Sequence, residues 1–333
     1  MITSEGGPSV AVLFCTGARG RRTVTLRSMD TSATPRVVPE FDRTVAIIGA
    51  GRVGSAIGSL LRQAGVTVTA VTTRHEATAR AAALSTGGEP LTDNVAASRT
   101  ATLVLIAVPD DSIDSVTLEI ASGGGFAAGQ VVAHVSGALG LDVLGPAADA
   151  GAAIGCVHPA QSFANVQHAI HEIPGSVFGV TADQDAREVL EGLVAVLGGV
   201  PVFVTDSKRP LYHAASVMAS NYLVALSDIA SELFERAGFS PQEARAALEP
   251  LVRGTATNIR VAGARGALTG PVARGDIETV RAHLTALEDV PAEIRQTYRL
   301  LGLRAARIAR ESGRISEESA EEMARLLGGD PTP

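Results

Sequence analysis

Cysteine is scarce: the chain has two, Cys15 and Cys156, in unrelated contexts and outside any C-x-x-C pattern. That excludes a disulfide framework and a cysteine-rich zinc site, and points to reduced thiols in a cytoplasmic protein. Long apolar runs are missing too. The strongest, residues 102–108 (TLVLIAV), has strand length and falls far short of the roughly 18 residues a membrane span requires. Positive charge is not in excess either, since the formal net charge is −7, which argues against nucleic acid as a partner. His168 and His171 stand at a helical i, i+3 spacing but lack a third ligand, so no metal is expected. With 46% hydrophobic and 19% charged residues and a mean hydropathy of +0.22, the 333 residues suit a globular protein of two domains that handles a small, diffusible molecule.

Residues 1–42 mix Gly, Ser, Thr, Pro and Arg without sustained periodicity and read as a disordered tail. The short apolar run 10–15 precedes the basic stretch 19–27, the wrong order for a secretory signal, and Met29 offers a second candidate start.

What is present begins at residue 44. The β-branched run of TVAIIGAGRVGSAIG feeds directly into Gly49-x-Gly51-x-x-Gly54 and then into a helix-compatible sequence. In that order each glycine has its own part: Gly49 permits the tight turn, Gly51 lets a pyrophosphate approach the backbone, and Gly54 lets helix and strand pack closely. The free N–H groups at the helix start, around Ala50, Arg52 and Val53, attract phosphate charge. A nicotinamide dinucleotide is therefore expected here.

About 20 residues on, such folds usually carry Asp or Glu to hold the ribose hydroxyls. In this chain the second strand, 66–71, runs into Thr72-Thr73-Arg74. A guanidinium fork with hydroxyls beside it suits a 2′-phosphate, so the expected cofactor is NADP(H), bound through Thr73 and Arg74. The alternative is a solvated Arg74, with Glu76 reaching back to the ribose.

Further strands are expected at 102–108, 130–135, 152–157, 176–181 and 201–205, with helices between them. This alternation predicts an α/β fold with a doubly wound, Rossmann-type parallel sheet over 43–205. Ligands of such sheets bind outside the carboxyl ends of the strands. Three of those ends are polar: Val108-Pro109-Asp110, His134-Val135-Ser136-Gly137 and His158-Pro159. After 205 the spacing turns helical throughout, predicting an all-helical domain over 206–330 with helices near 208–237, 241–262, 276–288, 291–312 and 316–327. Ser240-Pro241-Gln242-Glu243 marks one start by a capping box with proline at the first position.

Two clusters are suited to chemistry. Lys208, Tyr212, His213, Ser216, Ser220 and Asn221 fall on one broad face of a predicted helix, where Lys208 or His213 is placed to give a proton as hydride arrives. The alternative is a polar interface with satisfied hydrogen bonds. In Thr269-Gly270-Pro271-Val272-Ala273-Arg274-Gly275-Asp276, Asp276 caps a helix, and Arg274 either clamps a substrate carboxylate or pairs with Asp276 or a partner subunit.

These residues carry a resemblance. From about 43 to 327 the chain resembles Rossmann-like proteins with a DUF2520 C-terminal domain, relatives of ketopantoate reductase, pyrroline-5-carboxylate reductase, 6-phosphogluconate dehydrogenase and the F420-dependent NADP reductases. The likeness rests on the Gly49 fingerprint, Val108-Pro109-Asp110, the stretches at His134 and His158, Lys208 with Tyr212-His213-Ala214-Ala215, Ser220-Asn221, and Thr269-Gly270-Pro271 with Arg274-Gly275-Asp276 and His283-Leu284. It implies an NADP-binding domain, a helical C-terminal domain of the 6-phosphogluconate dehydrogenase type that dimerises, and a Lys–Asn pair one turn apart. Lys208 matches that lysine. Tyr212 stands where the asparagine belongs, leaving Asn221 as the candidate replacement. The expectation is an NADPH-dependent reductase of a small oxo acid, 2-oxopantoate being the extrapolation from the relatives, with Lys208, His213 and Asn221 in the chemistry and Ser136, His158 or Arg274 on the substrate. The rivals are an imine reductase, an F420-dependent NADP reductase, and a regulatory NADP-binding protein without turnover.

Overall fold

The computed structural model describes residues 41–329 and, ahead of them, the backbone of three short strands, β1 (Ala11–Thr16), β2 (Arg22–Arg27) and β3 (Arg36–Val37), paired antiparallel in that order. The tail expected to be disordered lies outside the described residues except at those strands, where the backbone is paired.

Eight strands form the main sheet: β4 (Val45–Ile48), β5 (Val68–Thr72), β6 (Glu89–Leu91), β7 (Leu103–Ile106), β8 (Val131–His134), β9 (Ala153–Pro159), β10 (Val177–Ala182) and β11 (Val200–Phe203). Their order is β11-β10-β9-β8-β7-β4-β5-β6. Every residue of β4, β7 and β8 is buried, as strands covered on both faces must be. The alternation of side chains sorts them into two cores. Val45, Ile47, Leu103 and Leu105 pack with Ile57 and Leu61 of the Arg52–Gln63 helix, while Ile48, Val104 and Ile106 pack with Ile113 and Ile120 of the Asp110–Ser122 helix. That is a doubly wound sheet.

Its last two strands depart from the all-parallel expectation. The pair β10–β11 is internally parallel but runs antiparallel to β9. The short helix Val166–Glu172 does not carry the chain back across the sheet, so β10 starts beside the end of β9 and Phe178 faces Pro159. The sequence reading also missed β6 and the Asn94–Ser98 helix, both too short for periodicity to reveal.

The chain divides into two compact units, Met1–Asn221 and Tyr222–Pro333. The first unit extends past 205 because the Arg209–Ala219 helix belongs with the sheet. The single helix expected over 208–237 is two, since Ser220 leaves helical geometry (φ −118, ψ −72) before Asn221–Arg236 begins. The second unit is all helical: Pro241–Ala267, Pro271–Arg274, Ile277–Ala286, Ala292–Glu311 and Glu317–Leu326 follow, close to the expected positions. The capping box at Ser240 forms as read, with Glu243 accepting from Ser240 N at 2.8 Å. A small core gathers Val280, Ala306, Met323 and Leu327.

Candidate functional site

The strand order reverses at β4, whose neighbours are β5 and β7, so the crevice for a ligand opens at the carboxyl ends of β4 and β7. The glycine turn sits there, and its three glycines differ in what surrounds them. At φ +92, Gly49 lies so close to β7 that a Cβ would stand 2.7 Å from Val108 Cγ1 and 2.8 Å from Val108 N. A Cβ on Gly54 would lie 2.5 Å from the Gly49 carbonyl oxygen and 3.1 Å from Ile47 Cγ2, which is the close helix-to-strand packing. A Cβ on Gly51 would meet nothing within 4 Å. Gly51 caps the Arg52–Gln63 helix without any side-chain hydrogen bond; the amides of Ala50 and Gly51 donate to the Thr72 and Gly49 carbonyls at 2.8 Å each, which corrects the expectation of a free N–H at Ala50, while those of Arg52 and Val53 have no partner among the described residues. Arg52 is exposed and donates from Nη1 to the Phe163 carbonyl at 3.2 Å, Val53 is partly buried against the core, and Ala50 is buried.

At the end of β5 stand Thr72, Thr73, Arg74 and Glu76. Glu76 is held by Arg80 in an i, i+4 ion pair that draws its carboxyl below the usual range, chiefly through the hydrogen bond and then through charge. Glu76 is paired with Arg80 at the surface, whereas Arg74 is exposed and has no partner among the described residues. Thr73 is less free than its expected part requires, because its hydroxyl donates to the His75 carbonyl at 2.7 Å. Thr72 braces the turn instead, its Oγ1 accepting from Gly49 N at 3.2 Å and donating to Asn94 Oδ1 at 2.7 Å.

The ends of β7, β8 and β9 carry a second, connected group. Asp110, at the start of its helix and exposed, accepts from Ser136 Oγ at 2.6 Å. That oxygen also accepts from the amides of Ala138 and Leu139, each at 3.2 Å. Ser136 is buried and saturated, so the expectation that it binds substrate is corrected: it holds the turn after β8. His134 is structural as well. Its Nδ1 accepts from Ser136 N at 3.1 Å, leaving Nε2 to donate to the Gly140 carbonyl at 3.0 Å. Burial above all, with the Arg209 charge adding to it, pushes its pKa down to about 4, so the ring stays neutral. Cys156 donates to the Ser136 carbonyl and is pushed up to about 12 by burial, which makes it an inert thiol.

His158 faces the Arg209–Ala219 helix. Its Nδ1–H donates to the Tyr212 hydroxyl oxygen at 2.9 Å, and that hydroxyl donates in turn to the His158 carbonyl at 3.2 Å. His213 stands edge-on to the same ring, centroids 5.7 Å apart. Two glycines make this fit possible. A Cβ on Gly179 would lie 2.5 Å from Tyr212 Cζ, and one on Gly137 would overlap His213 Nδ1 and stand 2.9 Å from His158 Nε2. Burial first, then the neighbouring His213 and Arg209, push the His158 pKa down to about 4. Burial also raises that of Tyr212.

The structure thus brings together Asp110, Ser136, His158 and His213, with Val108 and Pro109 beside the glycine turn. It does not bring in Lys208 or Asn221. Lys208 precedes the helix and Asn221 follows its break, so the face expected to unite them with His213 is not continuous; both are exposed and no contact ties them to the cluster among the described residues. Arg274 lies in the second unit, exposed in a shallow pocket with Leu268, Thr269, Gly270, Ala273 and Arg314. Asp276 caps the following helix through Thr279 N at 3.1 Å, and Arg274 forms no ion pair among the described residues. His168 and His171 are exposed, and no group of three metal-ligating side chains occurs among the described residues.

Two family models match this architecture: a Rossmann-like domain over residues 29–159, and DUF2520, a domain of unknown function, over residues 176–305. The chain thus matches a Rossmann-like domain model in its first part and the DUF2520 model after it. That region starts in the sheet, at β10, and takes in the helix bearing Tyr212 and His213. A search of curated proteins found no match. Among solved structures, a Thermotoga maritima protein is 24% identical with a TM-score of 0.65, covering 81% of this chain and 100% of its own. A provisionally named NADP oxidoreductase of Bacteroides fragilis is 23% identical with a TM-score of 0.64, covering 79% and 98%. A reductive aminase of Aspergillus terreus, solved with NADPH and ethyl-5-oxohexanoate, is 20% identical with a TM-score of 0.56, covering 86% and 91%. These likenesses share the fold: a mostly parallel α/β sheet followed by helices.

Sequence reasoning missed Arg209, which is completely buried beneath the cluster. Flanked by Lys208 and Pro210 in an exposed-looking stretch, it carried no signal of its own.

Proposed function

We propose that this protein is an NADPH-dependent oxidoreductase that reduces a small oxo acid. The observation that carries the reading is the uncapped helix start at Gly51, bare of side chains at the point where the strand order reverses, within the same unit as the imidazole and phenol cluster of His158, Tyr212 and His213. The amides of Arg52 and Val53 would hold the pyrophosphate and Arg74 the 2′-phosphate. NADPH, when bound, supplies the hydride. The chain's part is to bind and orient the acceptor and to stabilise the charge that develops on the reacting atom by a hydrogen bond, a contribution of roughly 10²- to 10³-fold, with the proton itself coming from water. His213 suits that part better than Lys208, which has no partner to fix it. Arg274, free of ion pairs among the described residues, is a candidate for binding a carboxylate.

The second reading is reduction of an imine, favoured by the fold shared with a reductive aminase. NADPH oxidation assayed against 2-oxopantoate, pyrroline-5-carboxylate and F420 separates the readings. Turnover of an oxo acid supports the first, turnover of the cyclic imine or of F420 replaces it, and tight NADPH binding with no turnover on any of them leaves a regulatory protein. Arg74→Ala should weaken NADPH by about 10- to 100-fold and leave NADH nearly unchanged. Equal weakening of both, measured by calorimetry, would remove the 2′-phosphate assignment.

The second unit supports a homodimer. The Asn221–Arg236 helix buries none of its residues and Pro241–Ala267 only Ala244, while Tyr222, Val224, Leu251 and Val261 lie exposed. A second copy would cover this apolar surface. Sedimentation equilibrium should return twice the chain mass, and a monomer at micromolar concentration would refute it.

A further inference from the structure

Arg209 is the largest fully buried side chain among the described residues, and no carboxylate pairs with it there. Its Nη1 donates to Thr181 Oγ1 at 3.0 Å, and its Nη2 donates to the carbonyls of Ser136 at 2.6 Å and Gly137 at 3.2 Å. Its Nε has no partner. A buried cation without a counter-ion is costly, and an apolar side chain of similar volume would fill this space with less penalty. Stability alone therefore does not explain an arginine here.

Its bonds show what it joins. Arg209 is the first residue of the helix that bears Tyr212 and His213, and the carbonyls it grips belong to the turn whose Gly137 lies against His213. We propose that Arg209 is a positioning residue of the reductase: it clamps the Ser136–Gly137 turn to the start of the Arg209–Ala219 helix, and so fixes the His213 ring against Gly137 and the Tyr212 hydroxyl on His158. As a role in catalysis this rests on the function proposed above; as a geometric clamp it stands apart from it.

The clamp has a chemical consequence at His213. Nδ1 of that ring is buried and has no hydrogen-bond partner. A proton on it would be a donor with no acceptor, a more costly defect than a lone pair left against the Gly137 Cα. The ring therefore carries its proton on Nε2, the nitrogen not enclosed by the turn. With the turn clamped, Nε2–H is the group offered to a ligand. If the turn and helix were free to separate, either tautomer would be satisfied by water.

The charge acts on His158 in the same direction as burial. His158 is faced by Tyr212 and His213 from the helix, by Arg209, by Asp110 from the start of its own helix, and by His134 from β8. Asp110 opposes the lowering to about 4, while His213, Arg209 and His134 favour it. The site accordingly presents His158 uncharged at neutral pH.

The test compares Arg209→Met and Arg209→Lys with the intact chain, reading the ring ¹⁵N shifts of His158 and His213 across pH and the NADPH affinity by calorimetry. In the parent protein His213 should show a single tautomer with the proton on Nε2. In Arg209→Met it should show mixed tautomers, the His158 midpoint should rise, and NADPH affinity should stay within about threefold because the phosphate site is separate. Arg209→Lys should keep the His158 midpoint low, having the charge, but still mix the His213 tautomers, having lost the fork. On whichever substrate proves active, kcat should fall about 10- to 100-fold with little change in KM. Should Arg209→Met fail to fold, Arg209→Lys alone decides: a single unchanged His213 tautomer in it overturns the proposal, as does an unchanged tautomer and midpoint in a folded Arg209→Met. None of the ring measurements needs turnover, so loss of the clamp and loss of the reductase reading are distinguishable.

Discussion

Gly49→Ala is expected to abolish NADP(H) binding and to destabilise the first unit by about 2 to 5 kcal/mol. Left-handed backbone at φ +92 costs an L-residue about 1 to 2 kcal/mol. The rest arises because the new Cβ would lie 2.8 Å from Val108 N and 2.9 Å from the Ala107 carbonyl carbon, main-chain atoms of the neighbouring strand's exit that cannot rotate away. Overpacking of that kind costs about 1 to 3 kcal/mol more. Urea unfolding and calorimetric titration with NADPH read the two effects separately. Gly51→Ala is the control that isolates the ligand. Its Cβ meets nothing in the protein, so stability should hold while affinity falls by about tenfold or more, the methyl occupying the phosphate's approach. If Gly51→Ala bound NADPH as tightly as the parent, the phosphate would not lie at this turn.

The sequence revealed the glycine turn so fully because all three requirements are local. A strand, a turn and a helix start lie within 15 residues, and each glycine answers one steric demand. The core of the sheet was legible for a related reason: strands buried on both faces become continuous apolar runs, as at 102–108. The reversal of β10 and β11 was not legible, since strand direction depends on where the 160–176 connection runs and both directions have the same apolar pattern. Lys208, His213 and Asn221 looked like one face because a helical wheel assumes an unbroken helix. Pro210 fits the first turn of a helix beginning at Arg209, so Lys208 stands before it, and Ser220 breaks the far end. Arg209 was invisible because burial of a charge is a tertiary fact. Neither its type nor its spacing distinguishes it from the solvated lysine beside it.

Gly137→Ala should leave the fold and NADPH binding in place and still lower turnover by about 10²-fold or more, the scale of a lost hydrogen-bond donor to developing charge. Unlike Gly49, this residue does not have a left-handed φ, so alanine is allowed by the backbone. The obstruction is made of side chains: the added methyl would overlap His213 Nδ1 and lie 2.9 and 3.0 Å from His158 Nε2 and Cε1. The His213 ring can swing outward about its χ1, at a cost of about 1 to 3 kcal/mol, and in doing so it carries Nε2 off the line set by the turn. Gly179→Ala provides the matching change on the other side. Its Cβ would stand 2.5 Å from Tyr212 Cζ and 2.7 Å from its hydroxyl oxygen, lifting the phenol from His158. If His213 donates the hydrogen bond to the developing charge and Tyr212 only orients His158, Gly137→Ala must be the more damaging of the two to kcat, and the ring ¹⁵N shift of His213 must move in Gly137→Ala but not in Gly179→Ala. The reverse order of damage would transfer that role to the Tyr212–His158 pair, and full activity in both variants would place the chemistry outside this cluster.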